Sequence, residues 1–580
     1  MRKLASILTI AALLCGAAYA GGVDAYVIPL SSPVYEAMDA LYAINGMASP
    51  STSRPWTVAE ARHILSRVDA EGMDSGESNF YRSVEELLAR EEPTWMLDED
   101  SFGLSTTVSL NPEYYWHENS RFDNDVDWVW DYEHRKPFLN LELEMSVFSW
   151  FYTTANAQYT KGRWDGRNDG IWYYDPNADY PYGIGAGIGP EDDTLHIPAG
   201  SISWADEHNT NFPILPETFE FDWPKRAFIA FAGPHWSLTL GRDRMNWGNA
   251  RIGNLLIDDG LEYHDALRLK LYTQNVFEYE VMFSFFDDDW SGAFHESDSF
   301  KMLMAHRIAF RPADWISFTL SENIMYRSSV LEGQSLNPAF IFHNLNNRDM
   351  FNALAWGELS IAPFKGLEIY AQFAIDQGKL PQESASERDA WAVLGGLDYT
   401  HLIGKGVLEA GFEAAYTTPL IYRRDKVDFI VPHRTATQLA GGDVLKLFYV
   451  GFPYGGDTIA MQLDLSYKQP GVWGISSAFR AVVHGSMDMM QSHNMEDAED
   501  ANDGYPNKEG STPTGPDISC TLIGTLAGEY HFPSVADILD ISFFSNISII
   551  DRFMLKGSTD AKEPEGMDIQ LAIGMSIAVL

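Results

Sequence analysis

The stretch 567–580, MDIQLAIGMSIAVL, decides the fold. Ile569, Leu571, Ile573, Met575, Ile577 and Val579 alternate with Asp568, Gln570, Ala572, Gly574, Ser576 and Ala578. A period of two puts the large apolar side chains on one face of an extended strand and leaves the other face small or polar. The length suits a tilted strand crossing a bilayer, which needs roughly 9–11 residues. The stretch therefore reads as the closing strand of a transmembrane β-barrel.

The same period recurs upstream. Residues 138–147 place Leu139, Leu141, Leu143, Met145 and Val147 on one face and Asn140, Glu142, Glu144 and Ser146 on the other. Charged residues opposite an unbroken apolar face suit a membrane wall around a polar lumen. From Phe102 onward the joins between such strands alternate in length. Tight joins fall at 148–149, 233–234, 273–275, 311–314, 363–366, 402–405, 468–471 and 533–536, with longer polar segments between them. Short periplasmic turns alternating with longer extracellular loops predict an all-β transmembrane barrel of about 18 antiparallel strands over residues 101–580. The segment 443–450 is a further candidate strand.

Residues 1–20 read as a signal peptide, with Arg2 and Lys3, an apolar core over 4–14 and an A-x-A site at Ala18-Tyr19-Ala20. After a loose lead, residues 34–47 carry Val34, Met38, Leu41 and Ile44 at helical spacing. Thr57 and Glu60 form a capping box for a second helix, and residues 79–90 make a third. Residues 21–100 thus predict a small α-helical bundle on the periplasmic side. No internal run of 18 apolar residues exists, which argues against a helical membrane protein.

Lys and Arg number 40 against 82 Asp and Glu, a net charge of −42, which excludes nucleic acid and docking on anionic lipid. The acidic runs 287–289 and 496–503 read as solvated loops, with Ca²⁺ binding left open. Asp123, Asp125 and Asp127 have calcium-loop spacing, but Trp128 and His134 stand where the turn glycine and the bidentate glutamate belong. With Cys15 in the signal, Cys520 has no partner for a disulfide. No G-x-S-x-G elbow or H-x₃-H pair occurs, and the glycine run 183–189 lacks phosphate-binding spacing, so neither enzyme nor cofactor is expected. The loop 161–225 is long enough to fold inward, which leaves open whether the lumen is filled.

The densest polar and aromatic cluster is Gly241-Arg242-Asp243-Arg244-Met245-Asn246-Trp247-Gly248, at the loop end of a strand. Arg242, Arg244 and Trp247 suit a carbohydrate through guanidinium hydrogen bonds and ring stacking. They suit equally a structural arginine ladder with a girdle tryptophan. This segment, extended to Asp259, resembles the Gly-Arg-x-x-x-x-Trp-Gly region of the Wzi-type capsule-assembly outer-membrane proteins. The stretches Glu409 to Pro419 and Gly451-Phe452-Pro453-Tyr454-Gly455-Gly456-Asp457 resemble that family too.

The resemblance implies a non-enzymatic outer-membrane protein that binds or organises surface polysaccharide, surrounded by outer-membrane lipid and acting as a monomer. The acidic loops would repel an anionic capsule unless cations bridge the two. The alternative is a cation-preferring, porin-like diffusion channel. If the face carrying Ile573 meets lipid, Ile573→Asp will block membrane insertion; normal assembly of that variant, seen as a heat-modifiable band in outer-membrane fractions, would refute the barrel.

Overall fold

Eighteen antiparallel strands close into a barrel. The computed structural model describes residues 23–579 apart from 92–96, 100–101, 123–127, 132–133, 162–169, 176–195, 199–208, 214–218, 223, 274–275, 287–299, 332–350, 379–388, 425–426, 438–441, 488–511, 534–538 and 560–565. The signal segment, the Asp123, Asp125, Asp127 triplet, the glycine run 183–189 and the acidic runs 287–289 and 496–503 lie outside the described residues.

In chain order the strands β1 to β18 are Phe102–Leu110 (resuming as Glu113–His117), Leu139–Val147, Phe151–Lys161, Ala227–Gly233, Trp236–Asp243, His264–Tyr272, Phe277–Phe286, Phe300–Ala313, Ile316–Ser328, Phe351–Phe364, Leu367–Gln377, Ala390–Ile403, Gly406–Thr417, Thr458–Gln469, Trp473–His484, Ile518–His531, Leu539–Lys556 and Gly566–Val579. Each pairs with its sequence neighbours, and β18 returns to β1 through Ile577 opposite Leu110 and Ile573 opposite Tyr114. Closure leaves no unpaired wall edge. The segment 443–450 does not join the wall, because β13 and β14 already pair directly. Instead Gly442–Tyr449 pairs with Ile430–Thr437 and, in parallel, with Gly170–Asp175 in a separate four-stranded sheet of loop segments.

Period two sorts the wall as the sequence requires. On β18, Ile573 and Val579 are exposed to the membrane side while Asp568, Gln570 and Ala572 are buried inside. On β2, Leu143 is half exposed and Glu144 is buried.

The helices are α1 (Pro33–Ile44), α2 (Val58–Leu65) and α3 (Ser75–Arg90). Ser32 caps α1, with Pro33 in its first turn. The third helix starts at Ser75 rather than Asn79, because Asp74 and Glu77 form a capping box. Thr57 caps α2 as expected, but Glu60 turns away from the cap to Lys270 on the wall.

The helices sit at the tight-turn end of the barrel. Ala43 accepts from Gly366 N–H (2.7 Å), Asp314 accepts from Ala48 N–H (2.8 Å), and Glu36 pairs with Lys468 (2.6 Å). The lead is not loose. Ala25 donates to Ser149 (3.0 Å), and Ala25, Val27 and Ile28 are buried with Tyr152, Phe228 and Ala230 of the inner wall. These apolar residues recover burial only by filling the lumen.

Past α1 the chain runs into the lumen as a polar segment, and the wall meets it with charges. Arg268 donates to Glu280 (2.5 Å), to Ser53 Oγ (2.7 Å) and to the Pro55 carbonyl (2.7 Å). Lys270 pairs with Glu60 and donates to the Ser53 carbonyl (3.1 Å). All four charges are at most 3% exposed. Removing one member of such a pair strands its partner without water, which costs about 3–5 kcal/mol. Glu280→Ala should therefore cost about that much in denaturant unfolding of the detergent-solubilised barrel. Lys365→Ala, which breaks only the surface pair with Glu77, should cost less than about 1 kcal/mol.

Candidate functional site

The join between β5 and β6 turns inward at the loop end of the barrel. Met245, Trp247, Ile252, Leu255, Leu256, Ile257 and Leu261 bury against wall residues that include Leu303, Met325, Leu354, Trp356 and Leu394. A loop this apolar is stable only when its side chains leave water, and the lumen is where the chain can take them. Its backbone is satisfied locally. Glu413 accepts from Arg251 and Ile252 N–H (2.9 and 2.8 Å), and Asp258 accepts from Asn254 and Gly260 N–H (2.7 and 2.9 Å). Gly248 adopts φ +129°, and a Cβ there would lie 2.0 Å from Asn254 Oδ1.

This loop meets the polar segment that arrives from the other end. Ser53 pairs with Trp247 and Arg54 with Asn246, and Gly248 N–H donates to the Thr52 carbonyl (3.0 Å). Material from both ends thus fills the centre of the lumen.

The three residues singled out in the sequence do not form one platform. Trp247 is 0% exposed, donates Nε1–H to Glu280 (3.2 Å) and has the Arg307 guanidinium 5.5 Å from its ring. Its ring faces are covered by protein. Arg242 stays at the loop end of β5, gripping Asp265 with two hydrogen bonds (2.8 and 2.6 Å) and lying 3.9 Å over the Tyr263 ring. Arg244 is partly exposed, and its backbone N–H donates to the Asp243 carboxylate (2.9 Å).

Sequence reasoning missed Tyr263, which stacks on His433 at 4.2 Å and so ties β6 to the loop sheet. The available signal was Glu262-Tyr263-His264, a polar and aromatic triplet at the start of an alternating strand. Burial holds the His433 imidazole down to about 3, so it is neutral in this stack.

The Gly451–Asp457 stretch is structural. Asp457 is fully buried and accepts from Thr514 N–H (2.9 Å), Met487 N–H (3.1 Å) and the Thr514 hydroxyl, joining three loop segments. Gly451 packs so closely that a Cβ would lie 2.6 Å from the Leu255 carbonyl of the inserted loop.

Burial pushes the Asp258 carboxyl up to about 7, and the adjacent Asp259 charge adds to the rise. The folded loop therefore holds this proton more tightly than the unfolded chain, and its contribution is lost as pH rises through about 7. Amide exchange over residues 254–261, corrected for intrinsic rates, should be slower at pH 5 than at pH 8. Asp258→Asn should remove that difference.

A family model described as capsule assembly protein Wzi matches residues 136–525. No curated protein sequence matches the chain. Among solved structures, the chain is similar to Wzi from Escherichia coli, described as an outer-membrane protein involved in group 1 capsule assembly and a carbohydrate-binding β-barrel. That likeness is at 11% identity and a TM-score of 0.55, covering 96% of this chain and 99% of that one. Similarity to OccD3 (OpdP) of Pseudomonas aeruginosa is weaker, at 9% identity and a TM-score of 0.39, over 82% of this chain and 91% of that one. At 11% identity the likeness to Wzi from Escherichia coli is one of fold.

Proposed function

The chain belongs to the Wzi capsule-assembly family, and from that membership we propose that it binds or organises surface polysaccharide at the outer mouth of its barrel. It is an outer-membrane protein, and in this reading it works as a monomer surrounded by outer-membrane lipid and carries out no covalent chemistry. The observation that carries the proposal is the filled lumen, where the inserted loop and the polar lead meet at Ser53 and Trp247. A barrel closed in this way favours a ligand held at its surface over a solute passing through, and it counts against the cation-preferring diffusion channel.

Arg242 and Arg244 are the residues proposed to touch polysaccharide. Arg242 is held flat over Tyr263 at the loop end, and its partner Asp265 has a side chain 44% exposed. The Arg242 side chain is 20% exposed, with Nε and Nη2 on Asp265 and Nη1 on the Pro224 carbonyl (3.2 Å), so its remaining N–H groups are what it offers to hydroxyl or carboxylate groups. Trp247, covered on both faces, is assigned to holding the loop in place.

Surface polysaccharide isolated from cells carrying the protein provides the probe. Binding to the purified barrel should fall about tenfold or more in Arg242→Ala/Arg244→Ala, a loss of about 1.4 kcal/mol. Stability should fall by only about 1 kcal/mol, because the Arg242 pair is partly exposed, with side chains 20% and 44% accessible. In planar bilayers the protein should give no large steady current. A large cation-selective conductance would refute the proposal in favour of the channel, and undiminished binding by the double variant would move the contact elsewhere.

A further inference from the structure

The plugging is not complete. Between α1 and the inner wall of β11 to β16 a cavity of about 370 Å³ remains. Elsewhere the wall presents large apolar side chains to the inserted loop, but here it carries Ser466, Ser476 and Thr525. Asn246, Asn249 and Arg251 of the loop close the inner end. The mouth lies by Glu36, whose side chain is 52% exposed, among the tight turns.

The lining holds six carboxylates and three basic side chains. Three of the carboxylates are paired directly: Asp39 with Arg54 (2.6 Å), Asp398 with Arg251 (3.1 Å) and Glu36 with Lys468 (2.6 Å). The other three are met by neutral donors. Glu368 accepts from Ser49 and Ser360, Glu409 from Ser466 (3.3 Å), and Asp464 from Gln462 (2.9 Å).

Two further acceptors are left over. Asp398 Oδ1 and Asn249 Oδ1 are both buried with no hydrogen-bond donor on them, and both residues line the cavity. No group of three His, Cys, Asp or Glu side chains able to hold a metal ion occurs among the described residues. The negative charge is spread along the cavity rather than gathered at a point.

We propose that this cavity binds a linear aliphatic polyamine entering from the tight-turn end. Its spaced ammonium groups balance Glu368, Glu409 and Asp464. Its methylene links lie against the short hydroxyl-bearing wall, where larger side chains would leave no room. A sugar would also donate hydrogen bonds, but the lining contains no aromatic ring to stack on it.

Equilibrium dialysis of radiolabelled spermidine against the full-length barrel in neutral detergent tests this. One equivalent should bind saturably. Glu409→Gln/Asp464→Asn should weaken binding about tenfold or more, and raised salt should weaken it further. Ser476→Trp, which fills the cavity without altering charge, should abolish binding, whereas Glu86→Gln on the exposed face of α3 should leave it unchanged. Heat-modifiable migration verifies folding of each variant, and Ala478→Leu on the same wall replaces Ser476→Trp if that one does not fold. Absence of saturable binding, or binding that survives filling of the cavity, overturns the proposal; the latter is what diffuse attraction to an acidic surface would produce.

Discussion

Arg268 donates at once to Glu280, to the Ser53 hydroxyl and to the Pro55 carbonyl, inside a lumen where its charge has almost no access to water. A buried guanidinium is tolerable only when nearly every donor is used and a carboxylate opposes it. The wall alone supplies the carboxylate but not the remaining acceptors; those come from the lead. Trp247 then bonds the same carboxylate from the side of the inserted loop. Wall, lead and loop are therefore mutually dependent, and the lumen is packed because its charges would otherwise be stranded.

This dependence separates the two ends of the molecule. At the loop end, a dry cluster of residues such as Leu255, Ile257, Tyr422 and Phe452 lies beneath Arg242 and Tyr263. At the tight-turn end, α1 and the wall enclose a polar, acidic cavity. The two proposed binding sites thus lie on opposite sides of a packed core. The family match over residues 136–525 spans the inserted loop and most of the wall but not the helices, the first strand or the last two strands. The cavity at the tight-turn end draws Glu36, Asp39, Ala43, Ser49 and Arg54 from outside that match and the rest of its lining from within it.

The motifs that carry the family resemblance have a common mechanical reason. Gly248 keeps a Cβ away from Asn254, Gly451 lets the backbone approach Leu255, and Asp457 clasps the loops through Thr514 and Met487. Each holds the inserted loop or the segments packed on it. Trp247 belongs to the same set, since its indole is a buried strut between the loop and Glu280.

The barrel was legible because period two is a local property. In the sequence of β18, Ile573 and Gln570 already occupy opposite faces, and the tight joins between strands already mark one end of the wall. The helical lead was legible for the same reason, down to the Thr57 cap. What the sequence could not settle was which side of the wall each loop occupies. Trp247 reads alike as a sugar platform, a membrane girdle or a lumenal strut, because its local pattern is the same in all three. Only the tertiary structure decides among them, by bringing Ser53 and Glu280, 194 and 33 positions away from it in the chain, against its backbone and its indole. Alternation along a strand is set by neighbouring residues, whereas the filling of a lumen is set by which distant segments can satisfy one another's buried charges.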